Sequence, residues 1–252
     1  MVARVIFKNN NQKEFLRGVK TISGLSNKEL ASICQLGCNV RKEFSITKPT
    51  VDFAEAAGII LGDGSITQCQ VRITLGMKTD PLYASFVSNL IRKVFGERPS
   101  WREYADDNTI ELTLSGINLI EELTKWGFRN GDKVRQQVDL PTWIWRNIDF
   151  QKACVRGLMD TDGGCYFHKH KTNGLTYRNF GMCFTSHSLP IVSSVAKVLK
   201  LLRFKFSLSR GGTRIYIYDL REIKRYFELI GSSNSKNHGK FKYYLSQKTH
   251  RI

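Results

Sequence analysis

No run of about 18 apolar residues occurs in this chain of 252 residues, which excludes a transmembrane helix. The N-terminal stretch MVARVIFKNNNQKEF turns polar after seven residues, so no secretory signal is read. A framework of cysteine pairs is also missing. Cys34, Cys38, Cys69, Cys154, Cys165 and Cys183 are scattered, and after Cys34 and Cys38 no second pair or His couple follows at finger spacing. That excludes a disulfide framework and a zinc finger, and fits reduced thiols in a cytosolic setting. A Gly-rich phosphate loop of Walker spacing is absent. Acidic residues are scarce: 22 Asp and Glu face 39 Lys and Arg, a formal charge of +17. Such an excess favours a polyanionic partner. No basic amphipathic helix with an aromatic face stands out, so nucleic acid is favoured over a membrane surface. At 41% hydrophobic and 24% charged residues the chain is not disordered, and its length fits one large domain or two small ones.

What is present is an internal repeat. Phe53-Ala-Glu-Ala-Ala-Gly-Ile-Ile-Leu-Gly-Asp-Gly-Ser65 matches Phe150-Gln-Lys-Ala-Cys-Val-Arg-Gly-Leu-Met-Asp-Thr-Asp-Gly-Gly164, placing Asp63 and Asp162 99 residues apart. Each is an apolar, helix-length run ending in Asp-Gly. After Gly64 come two strand-like runs, then a helix over about 80–95 with Leu82, Phe86, Leu90 and Val94 at helical spacing. Two strands then flank the turn Ala105-Asp-Asp-Asn108, and a helix from about Ile117 to Trp126 stops at Gly127. The second half follows suit: a strand running into a loop at His168–Gly174, the alternating run Tyr177–Thr185, and a helix capped by Ser188 with Pro190 in its first turn and a stripe of Ile191, Val195, Leu199 and Leu202. Strands Phe204–Ser209 and Arg214–Tyr218 meet at Gly211-Gly212, and a last helix from about Leu220 ends at Gly231. The order is αββαββα twice, an α+β fold. Three parts are expected: a helical N-terminal arm over 1–50, a first repeat with linker over 51–147, and a second repeat with a C-terminal tail over 148–252. In the arm, Leu25–Ile33 carries a capping box of Ser26 and Glu29, and Asn39–Phe44 is read as a second short helix. The pair is either a helix-turn-helix or a plain helical arm.

Small residues show how the two Asp-Gly helices meet. Gly58 and Gly62 lie four apart on one face, as do Gly157 and Thr161, so the helices are expected to touch along a seam containing Gly58 and Gly157. Their ends then bring Asp63 and Asp162 together. Two carboxylates added to two helix C-termini repel unless a cation intervenes. Hard oxygen ligands favour Mg²⁺, and Mg²⁺ beside a polyanion points to phosphodiester hydrolysis. The lesser reading of the spacing is that the two aspartates are only capping-turn residues.

Ala56-Ala-Gly-Ile-Ile-Leu-Gly-Asp-Gly64 and Val155-Arg-Gly-Leu-Met-Asp-Thr-Asp-Gly163 resemble the two motifs of LAGLIDADG homing endonucleases. Leu140-Pro-Thr-Trp143 resembles the family's segment between repeats, and Ser232–Lys242 its ending. The resemblance covers roughly residues 52–245. It implies a monomeric two-motif enzyme that cuts both strands of a long double-stranded DNA site, with saddle-shaped antiparallel sheets on the DNA. Asp63 and Asp162 would be metal-binding and catalytic, with Gly62 and Thr161 beside the Mg²⁺, and Mn²⁺ as a substitute ion. Two departures are Leu61, where the motif has Asp, and Arg156, where it has a small residue. The family often places a Lys or Gln near each site. Cys165 stands where a common Lys would be, leaving Lys78, Lys169 and Lys240 as candidates. A non-cleaving relative, such as an intron-RNA maturase or a transcription regulator, is the alternative. The expected setting is cytoplasmic and nucleoid-associated, or organellar for an intron-encoded gene.

The strands supply an independent argument. Val71, Ile73 and Leu75 alternate with Gln70, Arg72 and Thr74, and Ile110 and Leu112 with Thr109, Glu111 and Thr113. In the second half Phe180, Met182 and Phe184 oppose Tyr177, Asn179 and Cys183. Phe204, Phe206 and Leu208 oppose Lys205, Ser207 and Ser209; Ile215 and Ile217 oppose Arg214, Tyr216 and Tyr218. The outward sets, with Gln68, Arg102, His168 and His170, are the candidate DNA contacts, since such side chains reach base edges in a major groove. His168-Lys-His170 is read as a basic DNA-facing loop rather than a His-metal site. Trp101, Trp126, Trp143 and Trp145 are read as core or hinge anchors.

Overall fold

The computed structural model describes residues 4–6, 39–41, 43–44, 46–172 and 175–249. Strand β1 (Arg4–Ile6) pairs antiparallel with β2 (Asn39–Arg41). The chain then builds one run of elements twice. The first half is α1 (Val51–Leu61), β3 (Gly64–Ile66), β4 (Gln70–Gly76), α2 (Pro81–Phe95), β5 (Ser100–Tyr104), β6 (Thr109–Ser115) and α3 (Ile117–Lys125). A connection containing a 3-10 turn at Thr142–Arg146 leads to α4 (Ile148–Thr161), β7 (Gly163–Thr172), β8 (Leu175–Thr185), α5 (Leu189–Leu201), β9 (Ser207–Leu208), β10 (Arg214–Ile217) and α6 (Leu220–Leu229). A further helix, α7 (Ser235–Thr249), follows.

Both four-stranded sheets are antiparallel and share one order, β3-β4-β6-β5 and β7-β8-β10-β9. Their inner faces carry the expected alternation: Val71, Ile73, Leu75, Ile110 and Leu112 are buried in one, Phe180, Met182, Phe184, Ile215 and Ile217 in the other. Apolar side chains on one face of a strand leave the other for polar groups, and burying them drives each sheet onto its helices. Helix α1 starts at Thr50, whose hydroxyl accepts from the Phe53 N–H at 3.1 Å; α4 starts at Asn147, whose side chain accepts from the Asp149 N–H at 2.8 Å. Phe53 at the head of α1 stacks on Trp143, with ring centroids 4.7 Å apart, and meets Trp126 edge-on. That cluster pins the connection to the first half.

Several expectations change. Asn39–Arg41 is a strand, not part of a short helix: three residues paired along β1 gain a ladder that six isolated residues cannot replace by nucleating a helix. Leu25–Ile33 lies outside the described residues. In α2 the buried stripe is Tyr83, Val87, Leu90, Ile91 and Phe95, and Leu82 is 71% exposed, so the apolar face is rotated by one residue. His168–His170 continues β7, because each residue there pairs with β8 across a long hairpin. Ser188 stands at the N-cap of α5, but its hydroxyl donates to the Val138 carbonyl of the connection. Leu208 and Trp101 are exposed, since β9 and β5 are the edges of their sheets. Helix α7 has no periodic signature in the sequence. Gly239 and a polar composition hide its periodicity, and its apolar anchors are Phe241 and Tyr244, packed on Phe180.

Candidate functional site

Helices α1 and α4 lie against each other along the glycine seam, and the contacts are reciprocal. A Cβ on Gly58 would overlap the Cys154 carbonyl of α4, and one on Gly157 would overlap the Glu55 carbonyl of α1. Gly62 faces a side chain instead, the Thr161 hydroxyl, while at Gly58 and Gly157 the neighbour is backbone. Glycine is required here for lack of volume, since backbone meets backbone. The helix ends are held alike: the Asp63 carbonyl accepts from the Thr74 N–H of β4 at 3.3 Å, and the Asp162 carbonyl from the Thr185 N–H of β8 at 3.1 Å.

Asp63 lies within the electrostatic reach of Asp162. Burial, then the charge of Asp162, pushes the Asp63 carboxyl up to about 7. Burial also raises Asp162, opposed by Lys133. Lys133 is the cation of this centre. Its ammonium donates to the Leu61 carbonyl at 2.8 Å and also to the carbonyls of Gly62 and Ile60 at the end of α1. Those carbonyls have no partner within the helix, and they carry the negative end of its dipole. Burial lowers the Lys133 pKa, while the two aspartates favour its charged form. A second cation, Lys236, also acts on Asp63. It pairs with Asp80 at 2.7 Å. The three lysines singled out from sequence are held elsewhere. Lys78 is exposed in the turn after β4 and Lys169 is exposed along β7; the Lys240 ammonium donates to the Cys165 carbonyl at 2.9 Å. Thr161 turns its hydroxyl back onto the Gly157 carbonyl at 2.9 Å.

Beneath the acids lies a buried polar network. Arg156 reaches across the seam, donating to Glu55 at 2.5 Å and to the Ile230 carbonyl at 3.0 Å. This explains the large residue in a position that is small in the motif: its side chain ties α1 to α4 and to the end of α6. Asp160, two residues before Asp162, accepts from the Ser232 hydroxyl, the Ser233 and Asn234 N–H groups and the Asn237 side chain. Burial outweighs these donors and raises its carboxyl to about 6. The Ser233 hydroxyl also donates to Glu55. The segment between α6 and α7 thus grips both central helices.

The outward sheet faces differ in chemistry. On the first, Gln70, Arg72 and Thr74 line β4, and Glu111 on β6 pairs with Arg72 at 3.0 Å and lies opposite Arg102 of β5. Gln68 is exposed in the β3–β4 turn. On the second, Tyr216 and Tyr218 stack with centroids 5.5 Å apart, and His168 meets Tyr218 edge-on. Gly181 makes room for this wall, as a Cβ there would press on the Tyr166 ring. Asn179 lies opposite His168, and Lys205, Ser207, Ser209 and Arg214 border the same sheet. The side chains of His170 and Tyr177 lie outside the described residues.

Lys133, Lys236, Asp80, Asp160 and Glu55 were not singled out from sequence as members of a site. A signal existed: Gly127, Asn130 and Lys133 follow the last helix of one half as Gly231, Asn234 and Lys236 follow that of the other.

No family model and no curated protein matches the chain. Solved structures do. The LAGLIDADG homing endonuclease I-LtrWI bound to target DNA superposes with a TM-score of 0.54 at 11% identity, over 80% of this chain and 92% of that one. I-SmaMI bound to an uncleaved DNA target in the presence of calcium ions superposes with a TM-score of 0.54 at 13% identity, over 81% of this chain and 94% of that one. The two Asp-Gly helices in contact, each followed by a four-stranded antiparallel sheet, give this chain the fold of the LAGLIDADG homing endonucleases.

Proposed function

We propose that the protein is a site-specific endonuclease that hydrolyses phosphodiester bonds on both strands of a long double-stranded DNA target. The convergence of Asp63 and Asp162 at the ends of two touching helices carries this reading. The similar structures hold DNA, and the charge of +17 and the polar outer faces of both sheets suit the same partner.

The residues fit a divalent ion of the Mg²⁺ kind. Among the described residues no group of three or more His, Cys, Asp or Glu is placed to hold a metal. That suits an ion taking one or two carboxylates from the protein and its remaining ligands from water and phosphate. Burial and the charge of Asp162 raise the Asp63 carboxyl to about 7 although Lys133 and Lys236 oppose them, so a cation bound between the two acids would favour their ionised forms. Asp63 and Asp162 would hold the ion, which when bound lowers the pKa of a water and stabilises the leaving oxygen. Lys133 keeps one positive charge against the helix-end carbonyls and both acids. Arg72, Glu111 and the tyrosine wall orient the duplex. Because one chain carries both acids, it acts as a monomer.

The test is cleavage of a randomised DNA library with Mg²⁺, followed by Asp63→Asn and Asp162→Asn on the selected site. Each substitution is expected to abolish double-strand cleavage while target binding in Ca²⁺ stays within about threefold of wild type. A variant that still cuts both strands at the wild-type rate overturns the assignment.

A further inference from the structure

The pair formed by Asp80 and Lys236 crosses between the halves. Asp80 stands at the N-cap of α2 in the first half, yet it makes no capping bond to that helix. Its carboxylate instead receives the Lys236 ammonium of α7 at 2.7 Å, the Asn234 side-chain amide at 2.7 Å and the Thr79 hydroxyl at 2.5 Å. Asn234 in turn donates its backbone N–H to Asp160 at 3.1 Å, and Asp160 lies two residues before Asp162. One chain of contacts therefore runs from Asp80 through the C-terminal segment to the end of α4. The Asp80 side chain is 11% exposed and that of Lys236 36%, so the pair is sheltered, and the carboxylate is fixed by three named partners rather than by one surface contact.

The halves are unequal in this respect. Lys133 lies directly on the carbonyls ending α1, and both Asp63 and Asp162 feel it. Lys236, its counterpart after Gly231, is held by an aspartate, and it acts on Asp63 together with Asp80. A free ammonium on a flexible four-carbon stem would have no defined place beside a reacting phosphate. Holding it against Asp80 removes that freedom and leaves a nearly neutral pair with an oriented dipole near one acid.

We propose that Asp80 is a positioning residue: it fixes Lys236 beside the Asp63 side of the centre, so that losing it slows one DNA strand more than the other. This rests on the endonuclease reading. The geometry implies a coupled unit, in which removing either partner has the same effect as removing both.

The experiment uses the full chain on supercoiled plasmid carrying the selected target, with Mg²⁺ and separate end-labels on the two strands. Asp80→Asn and Lys236→Ala are each expected to accumulate nicked circles. The affected strand should be cut roughly tenfold or more slowly and the other within about threefold of wild type. Lys236→Arg, which keeps the ion pair, should restore balanced cutting, and Asp80→Asn/Lys236→Ala should be no worse than Lys236→Ala alone. Lys236→Ala keeps Asp80 and its bonds to Asn234 and Thr79, so the test survives if Asp80→Asn folds poorly. Equal slowing of both strands, or no change, overturns the positioning role while the endonuclease reading stands. A wild-type protein that cuts neither strand on any library member overturns both.

Discussion

Asp63 concentrates the electrostatic problem of the centre in one residue. Its folded-state pKa, raised from 3.8 to about 7, means that the metal-free protein holds a proton there which the unfolded chain has already released. The folded state binds more protons than the unfolded state between those values. The favourable contribution is therefore complete below about pH 4 and is lost as pH rises through 7. Asp63→Asn removes that dependence. In EDTA the variant is expected to melt a few degrees above wild type at pH 8, with the gap narrowing as pH falls and closing near pH 4, which thermal denaturation across that range checks. The same proton competes with a metal ion, so Mg²⁺ affinity measured by calorimetry should climb between pH 6 and pH 8 in wild type and not in the variant.

At the scale of elements, the seam between α1 and α4 decides how close the acids come. Alanine is a better helix former than glycine by about 1 kcal/mol, so Gly→Ala in a helix is stabilising where there is room. Gly239 in α7 has open space around it, and Gly239→Ala is expected to raise the melting temperature. Gly58→Ala and Gly157→Ala force a methyl group into a backbone carbonyl of the facing helix and should destabilise by about 1–3 kcal/mol despite the propensity gain, read by urea denaturation. The seam was legible in the sequence because four-residue spacing maps directly onto one helix face. The strands were legible because alternation survives wherever one face is buried, as at Val71, Ile73 and Leu75. The rotation of α2 was not: Leu82 and Tyr83 are adjacent, both can sit on a buried face, and packing on the rest of the fold, the central helix α1 included, decides which of them turns inward. Lys133 and the Asp160 network were hidden for a different reason. Their partners lie more than 70 residues away, and bonds to backbone groups, carbonyls for Lys133 and N–H groups for Asp160, do not show which residues meet; the matching Gly, Asn and Lys after each half hint at a role for Lys133 but not at its partners.

Across the whole molecule, the charge of +17 and the two unlike sheet faces act on different parts of recognition. Lysines and arginines spread over a surface neutralise phosphates whatever the sequence, and each contact releases condensed counterions. Binding of the target and of unrelated duplex should therefore both weaken steeply with salt, each losing at least about tenfold between 50 and 200 mM in filter-binding or anisotropy titrations. The outer faces separate the two. Arg72 is held by Glu111 at 3.0 Å, and a side chain already oriented loses little freedom on meeting a base edge. Arg72→Ala is expected to cost about 1–3 kcal/mol on the selected target and almost nothing on unrelated duplex, relaxing preference at a single position of the site reselected from the library. Lys205→Ala, at the edge of the second sheet, should weaken target and unrelated duplex alike and flatten the salt dependence by about one unit of slope. If instead Arg72→Ala weakens both duplexes equally, the first sheet contacts phosphate rather than bases, and the alternation of its strands has been assigned the wrong role.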